Sequence, residues 1–435
     1  MIVKDGARTL RNCLASVAGL VDRIVVADTG SSDGSAQLAR DLGAEVFDIP
    51  WQEDFSQARN AAMRALSTEW VLVMDDDEEL DPPARTKLAP LLENAGVGGY
   101  LVTLRNHIPV KFGAGGHAPS VKSNDSAIPG AERARAYADF ALCRLFRRHP
   151  EIYYVGRVHE HVEPRIQALG LKLAPANFVI HHFGHLCSSA ELRAKNEFYR
   201  KLGQLKVKDN SNDPEAWVEL GLQEYEQFRN YSAGIECFKK ALALKPRYPS
   251  VPALSLASLY VDIHADDHAL SLLSGIPMTG RAAGAKEHIC GDAFYNLGWL
   301  KEARSAYVRA SAILSEDALI ASKLGLTEIR LGLKKNGLAR LSKALRANPE
   351  VFEMHDRMIK AYILMNMMPQ AAEAAERLAI KIPNPATVLR AASIRSQLQE
   401  WKPAEEIILN GLQKFPHNQE LLRAKAELGR ERTLV

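Results

Sequence analysis

Five consecutive acids follow an apolar run, Trp70-Val71-Leu72-Val73-Met74 leading into Asp75-Asp76-Asp77-Glu78-Glu79. Carboxylates crowded this closely repel one another unless a cation or water compensates. Hard divalent ions such as Mg²⁺ or Mn²⁺ take oxygen ligands and bridge to phosphates. The competing reading is a solvated acidic turn, or a cap for the helix that follows. A second polar cluster is His159-Glu160-His161-Val162-Glu163. It is not HExxH, because the second histidine follows Glu160 directly, so zinc peptidase chemistry has little support. His181 and His182 end an apolar run. Adjacent strand residues face opposite ways, so one of the two is expected to face a site. Gly30-Ser31-Ser32-Asp33-Gly34 lacks GxGxxG, and Asp28 precedes that turn rather than following it by about twenty residues, which opposes a dinucleotide oxidoreductase.

The elements that must position these residues alternate. Ile24–Ala27 reads as a buried strand ending in the Asp28–Gly34 turn, with a helix from about Ser35. Glu45–Ile49 is a second strand, closed by Pro50, and Asp54–Leu66 has helical spacing with Asp54 as its N-cap. Trp70–Met74 is a third strand. Further strands are expected at Tyr100–Arg105, Phe140–Phe146 and Phe178–His182. Strands separated by helices predict βαβ units and a mostly parallel sheet. In such a sheet ligands bind beyond the carboxyl ends of the strands, where the acidic run lies. The stretch from His107 to Ala138, rich in Gly, Ser, Ala and Pro, reads as a mobile loop.

The last 220 residues or so carry a repeat. Small or short side chains recur at Gly234, Ala269, Ala303, Gly337, Ala371 and Ala404, with spacings of 35, 34, 34, 34 and 33. Four residues later come Phe238, Leu273, Tyr307, Leu341, Ala375 and Ile408. Three further on come Ala241, Ile276, Ala310, Ala344, Leu378 and Gly411. Each helix pair of such an array buries its apolar face only against its neighbours, and small residues let the helices approach. The period and pattern resemble the tetratricopeptide repeat, with a polar segment from about Gln419 capping the stack.

The ordered motifs of residues 1–185 resemble a family 2 glycosyltransferase with the GT-A fold. The matching segments are Met1–Lys4, Ile24–Gly34, Asp54–Asn60, Val73–Leu80, Arg144–Arg147, Gly156–Glu160 and Ile180–Gly184. Their order is similar to the bacterial branch in which this domain precedes tetratricopeptide repeats. The resemblance implies a division into a GT-A domain over 1–186, a linking helix over 187–213 and repeats with a capping helix over 214–435. It implies a nucleoside-diphosphate sugar as donor and Mg²⁺ or Mn²⁺ as cofactor. By position, Asp28 falls on the nucleobase or ribose contact, Arg59 near the diphosphate, and Asp75 and Asp77 on the DxD motif, with Asp77 the direct metal ligand. Glu160 falls on the acceptor-side carboxylate, where a group within reach of a hydroxyl acts as general base. The competing role for Glu160 is an ion pair with Arg157 or Arg165. His182, in His182-Phe183-Gly184-His185, is the expected metal or diphosphate contact. The first strand, Met1–Val3, is several residues shorter than the family's. Either the true start lies elsewhere, or the edge of the nucleotide pocket differs.

The implied reaction is an inverting, in-line sugar transfer, with a protein or peptide acceptor held by the repeats. Self-association into a homo-oligomer, or simple support of the front domain, competes for the repeats' role. The competing functions are a non-catalytic scaffold with a degenerate nucleotide-binding domain, and a nucleotidyltransferase. For the latter, Lys4-Asp5-Gly6-Ala7-Arg8 is a poor Gly-rich basic loop. Composition narrows the field further. Lys and Arg total 55 and Asp and Glu 52, so the net charge is 55 − 52 = +3, a balance that argues against a dedicated nucleic-acid partner. No apolar run reaches transmembrane length, and Met1–Asp5 lacks a signal peptide's apolar stretch. The 5 cysteines are scattered without CxxC, which fits a reducing cytoplasm.

Overall fold

The computed structural model describes residues 1–108, 122–124, 131–134 and 136–431. By contact density the chain divides at Arg247/Tyr248 into two compact units.

The first unit opens with a three-stranded parallel sheet in the order β1-β2-β3, formed by β1 (Ile2–Val3), β2 (Val25–Asp28) and β3 (Glu45–Asp48). Period-two alternation splits its side chains between two layers. Val3 and Val26 pack with Leu10 and Leu14 of α1 (Ala7–Val17) and Ala39 of α2 (Ser35–Asp41). Ile2, Val25 and Ala27 pack on the opposite face with Ala58 and Ala62 of α3 (Phe55–Arg64). Asp54 caps α3, its side chain accepting from the Gln57 N–H.

A second, six-stranded sheet contains β4 (Trp70–Leu72), β5 (Glu78–Leu80), β6 (Val97–Ile108), β7 (Lys122–Ser123), β8 (Ala136–Arg147) and β9 (Lys172–His182). Its order is β4-β8-β6-β9-β5, with β7 on β8. The expected parallel order holds for β1–β3 and for β6 beside β9, while the other pairs are antiparallel. Helices α4 (Ala84–Leu92) and α5 (Glu163–Ala168) complete the layers, and the core gathers Tyr100, Val102, Leu145, Phe178 and Ile180.

The His107–Ala138 segment is more ordered at its ends than its composition implies. His107 and Ile108 finish β6, residues 136–138 start β8, and Ala131–Arg133 form a 3₁₀ turn. Residues 109–121, 125–130 and 135 lie outside the described residues.

The helical part begins with α6 (Ser189–Asp209), whose start is fixed by a capping box between Ser188 and Glu191. Antiparallel pairs of the tetratricopeptide type follow. They are α7 (Pro214–Leu222) with α8 (Tyr231–Ala243), α9 (Ser250–Asp262) with α10 (Asp266–Ser274), and α11 (Gly280–Asn296) with α12 (Leu300–Ile313). After these come α13 (Ala318–Arg330) with α14 (Lys334–Ala347), α15 (Phe352–Leu364) with α16 (Met368–Lys381), and α17 (Pro385–Gln397) with α18 (Trp401–Lys414), then α19 (Gln419–Glu431). The recurring small positions all fall on the second helix of a pair and are buried. Their function is close approach: a Cβ on Gly337 would sit 2.4 Å from the Gly325 carbonyl oxygen.

A second periodic feature lies five residues before each small position. Arg229, His264, Gly298, Gly332, Asn366 and Gln399 all have φ between 51° and 83°, the left-handed region. Each forms the hinge between the two helices of its pair. Among the described residues, no helix is long and apolar enough to cross a membrane.

Candidate functional site

The acidic run lies where β4 ends and β5 begins, on the wall of a cavity of about 750 Å³ within the first unit. Beyond Leu72 the Val73 N–H still donates to the Arg144 carbonyl of β8, and the turn at Asp76-Asp77 then leads into β5. Glu78 and Leu80 then pair with His182 and Ile180 of β9. Sequence reading missed β5 because its acidic residues mask a strand.

Asp75 is held from both sides. Its Oδ1 accepts from Arg59 Nη2 at 2.8 Å and its Oδ2 from Arg144 Nη2 at 3.0 Å. Arg144 Nη2 also donates to Glu78 Oε1 at 2.6 Å, and Arg59 Nε donates to Glu160. The result is a buried alternation, Glu160–Arg59–Asp75–Arg144–Glu78. Burial works against the Asp75 anion, but the two guanidinium groups outweigh it and hold its carboxyl far below the usual range. Burial pushes Glu78 up to about 7, with Asp75 adding and Arg144 opposing. The Arg59 guanidinium lies 5.6 Å from the centre of the Tyr154 ring, and its Nη1 has no partner among the described residues.

Asp77 takes a different environment. Its Oδ2 lies 3.4 Å from His182 Nε2, and His182 Nδ1 meets Asn106 Oδ1 at 2.6 Å. Burial opposes ionisation of Asp77, yet the hydrogen bond and charge of His182 bring its carboxyl below the usual value. The reciprocal effect raises His182 against its own burial. Gly184 makes the approach feasible, since a Cβ there would lie 2.3 Å from Asp77 Oδ2 and 2.6 Å from His182 Nε2. Asp76 accepts from Thr9 Oγ1 at 2.9 Å, and burial, then Asp77, raises it to about 6.

His181 and His182 face opposite ways. His182 lines the cavity, while His181 is buried with its Nδ1 2.9 Å from His107 Nε2. Burial, with neighbouring positive charge, lowers both of these core histidines from 6.5 to about 4.

The remaining sequence candidates divide. Arg59, Asp75, Asp77, Glu160 and His182 line one cavity. Asp28 does not line it, although Thr29 does. Asp28 is 3% exposed, its Oδ1 accepts from the Gly30 and Ser31 N–H groups at 2.7 and 2.6 Å, and its Oδ2 is buried without a partner among the described residues. Glu160 is 11% exposed and pairs with Arg59 rather than with Arg157 or Arg165. Those two arginines are engaged elsewhere, Arg157 with Asp209 and Arg165 with Glu151. His159, before it, takes φ 52° and stacks on Tyr199 at 6.3 Å.

Sequence reading also passed over Arg144, quoted only within a motif, and Asn106. It passed over the cavity-facing residues of α6 as well. The α6 signal was available as a helical stripe, Leu192, Lys195, Asn196 and Tyr199, at spacings i, i+3, i+4 and i+7. Among the described residues no group of three or more His, Cys, Asp and Glu is arranged to hold a metal.

Comparison with known proteins locates this domain. Residues 1–150 match the family described as Glycosyl transferase family 2. A TPR repeat-containing protein of Synechococcus elongatus is 32% identical over 227 residues, covering 51% of this chain and 50% of that one. An uncharacterized glycosyltransferase of Rickettsia felis is 29% identical over 101 residues, covering 23% and 35%. The SPbeta prophage-derived glycosyltransferase SunS of Bacillus subtilis is 22% identical over 255 residues, covering 56% and 52%. The chain thus spans about half the length of the first and third relatives and about a third of the second.

Proposed function

We propose that residues 1–186 transfer a sugar from a nucleoside-diphosphate sugar to an acceptor, inverting the anomeric carbon. The observation that carries this reading is the division of labour among the acids on one cavity wall. Asp75 is locked between two arginines, whereas Asp77 and His182 face open space.

In this reading the acceptor oxygen attacks the anomeric carbon in line with the departing diphosphate. One carbon–oxygen bond forms as the sugar–phosphate bond breaks, and the nucleoside diphosphate leaves. Glu160 takes the acceptor proton, and Arg59 orients Glu160 for that task. Arg59 Nη1, buried without a partner among the described residues, is the donor left for a diphosphate oxygen. Asp28 Oδ2 is the acceptor assigned to the ribose or nucleobase.

Asp77 and His182 would hold Mg²⁺ or Mn²⁺. Two protein donors suit an ion whose remaining ligands are substrate phosphate and water. Asn106 meets the other nitrogen of His182 and so orients the ring, as hydrogen-bond partners of ligating histidines do. Such an ion, when bound, supplies charge stabilisation to the departing diphosphate. The acceptor is a protein or extended peptide held by the helical array.

The test is thermal stability of the full chain with UDP, GDP, ADP and CDP, with and without Mn²⁺, alongside Asp77→Ala. A rise that needs both nucleotide and Mn²⁺, and that disappears in Asp77→Ala, is expected. No shift with any nucleotide would favour a scaffold with an inactive front domain. An Asp77→Ala protein that turns over donor at the parental rate would remove Asp77 from the site.

A further inference from the structure

The family match ends at residue 150, but the cavity wall does not. One wall comes from α6, which turns Leu192, Lys195, Asn196 and Tyr199 toward the space. That stripe is held firmly. Tyr199 stacks on Phe55 at 5.7 Å, and Asn196 Nδ2 donates to Gln227 Oε1 at 3.0 Å in the π-helical turn Gln223–Gln227.

Lys195 stands out on this wall by its pairing. The other lysine and arginine side chains lining the cavity are Lys4, Arg59 and Arg144, and each pairs with a carboxylate. Lys195 has no hydrogen bond or ion pair among the described residues. It lines the cavity with Asp77, His182 and His185, and its charge acts on all three. An ammonium group kept partly out of water with no partner is unfavourable unless an anion completes its surroundings. Within the cavity, Asp75 and Glu160 are committed to arginines and Asp77 to His182. A ligand's anion in the open space would complete its surroundings.

We propose that Lys195 binds the terminal phosphate of the donor's nucleoside diphosphate, so that the helix beyond the matched domain completes the leaving-group site. Lysine serves as a compact point charge for phosphate and needs no bidentate geometry. This rests on the glycosyl-transfer reading, which supplies the nucleoside diphosphate.

The experiment is calorimetric titration of the full chain, in Mn²⁺, with UDP, GDP, ADP and CDP and with each corresponding monophosphate. Parent, Lys195→Met and Lys195→Arg are compared. Methionine keeps the stem and removes the charge. For the diphosphate that binds the parent, Lys195→Met is expected to weaken affinity roughly tenfold or more, the scale of a charged hydrogen bond. Monophosphate affinity should hold, and Lys195→Arg should recover most of the loss. Equal weakening of mono- and diphosphate would mean a structural role and overturn the assignment. So would a Lys195→Met protein that binds diphosphate like the parent. A parent that binds none of the diphosphates would instead defeat the glycosyl-transfer reading, and the assignment with it.

Discussion

In the cavity wall the α/β domain buries charge, in the chain Glu160–Arg59–Asp75–Arg144–Glu78. Along α12 and α16 the helical array buries alanine: Ala303, Ala306 and Ala310 on one, Ala371, Ala374 and Ala375 on the other. The partners differ in reach as well. Arg59 and Glu160 are 101 residues apart, and Arg144 and Asp75 are 69 apart. Where the array buries charge, as at Glu328, the partner Arg340 is 12 residues away. An alanine seam tolerates local change because each repeat answers only to its neighbours. A buried ion chain does not, since removing one member leaves another charge unpaired. The first arrangement fixes geometry, and the second accumulates stability unit by unit.

The sharpest break of this contrast is Glu160→Gln. It keeps size and much of the hydrogen bonding but cannot accept a proton. Single-turnover transfer should fall by roughly 10²–10⁴, with nucleotide affinity retained. Affinity and turnover weakening together would make Glu160 a purely structural member of the chain. Arg144→Met comes next, because it strands Glu78 and leaves Asp75 with Arg59 alone. Denaturant unfolding should show a loss of about 3–5 kcal/mol. A loss near zero would mean that those acids are neutralised without Arg144. Ala371→Leu overpacks one seam of the array and should cost about 1–3 kcal/mol. Hydrogen exchange should localise that loss to α15, α16 and α17, and a loss spread over every repeat would contradict nearest-neighbour stabilisation.

The smallest expected effect is set by pH. His107 and His181 sit near 4 in the folded chain against 6.5 ordinarily, so the unfolded chain binds protons first on acidification. Their contribution is complete above 6.5 and is lost as pH falls toward 4. Amide protection in β6 and β9 should decline over that window and hold from pH 7 to 8. A His107→Gln variant should flatten the decline. Protection unchanged between pH 6.5 and 4.5 would refute the linkage.

The same contrast explains what the sequence disclosed. The repeat register was readable because Gly234, Ala269, Ala303 and their successors each report a local helix contact at a fixed interval. The strands of the front domain were readable for a similar reason, being short apolar runs between turn residues. The pairing of Glu160 was not. Arg157 and Arg165 are near in sequence, but the fold brings α3 to Glu160 and supplies Arg59 instead. β5 was hidden because Glu78 is an acid yet buried, held by Arg144 on β8 and by the Asp75 N–H. The role of Lys195 was hidden in the same way, since its surroundings come from β9 and the acidic turn.

The left-handed hinges carry one more consequence, for how such arrays change over generations. Of the six, Gly298 and Gly332 occupy that conformation freely, whereas Arg229, His264, Asn366 and Gln399 hold side chains in it. Each non-glycine hinge is strained by about 1 kcal/mol. A single substitution to glycine would relieve that strain without altering a packed seam. Stability in the array is therefore left in reserve at four separate codons. A lineage under heat, or an engineer, can draw on it one repeat at a time while every packed seam stays as it was.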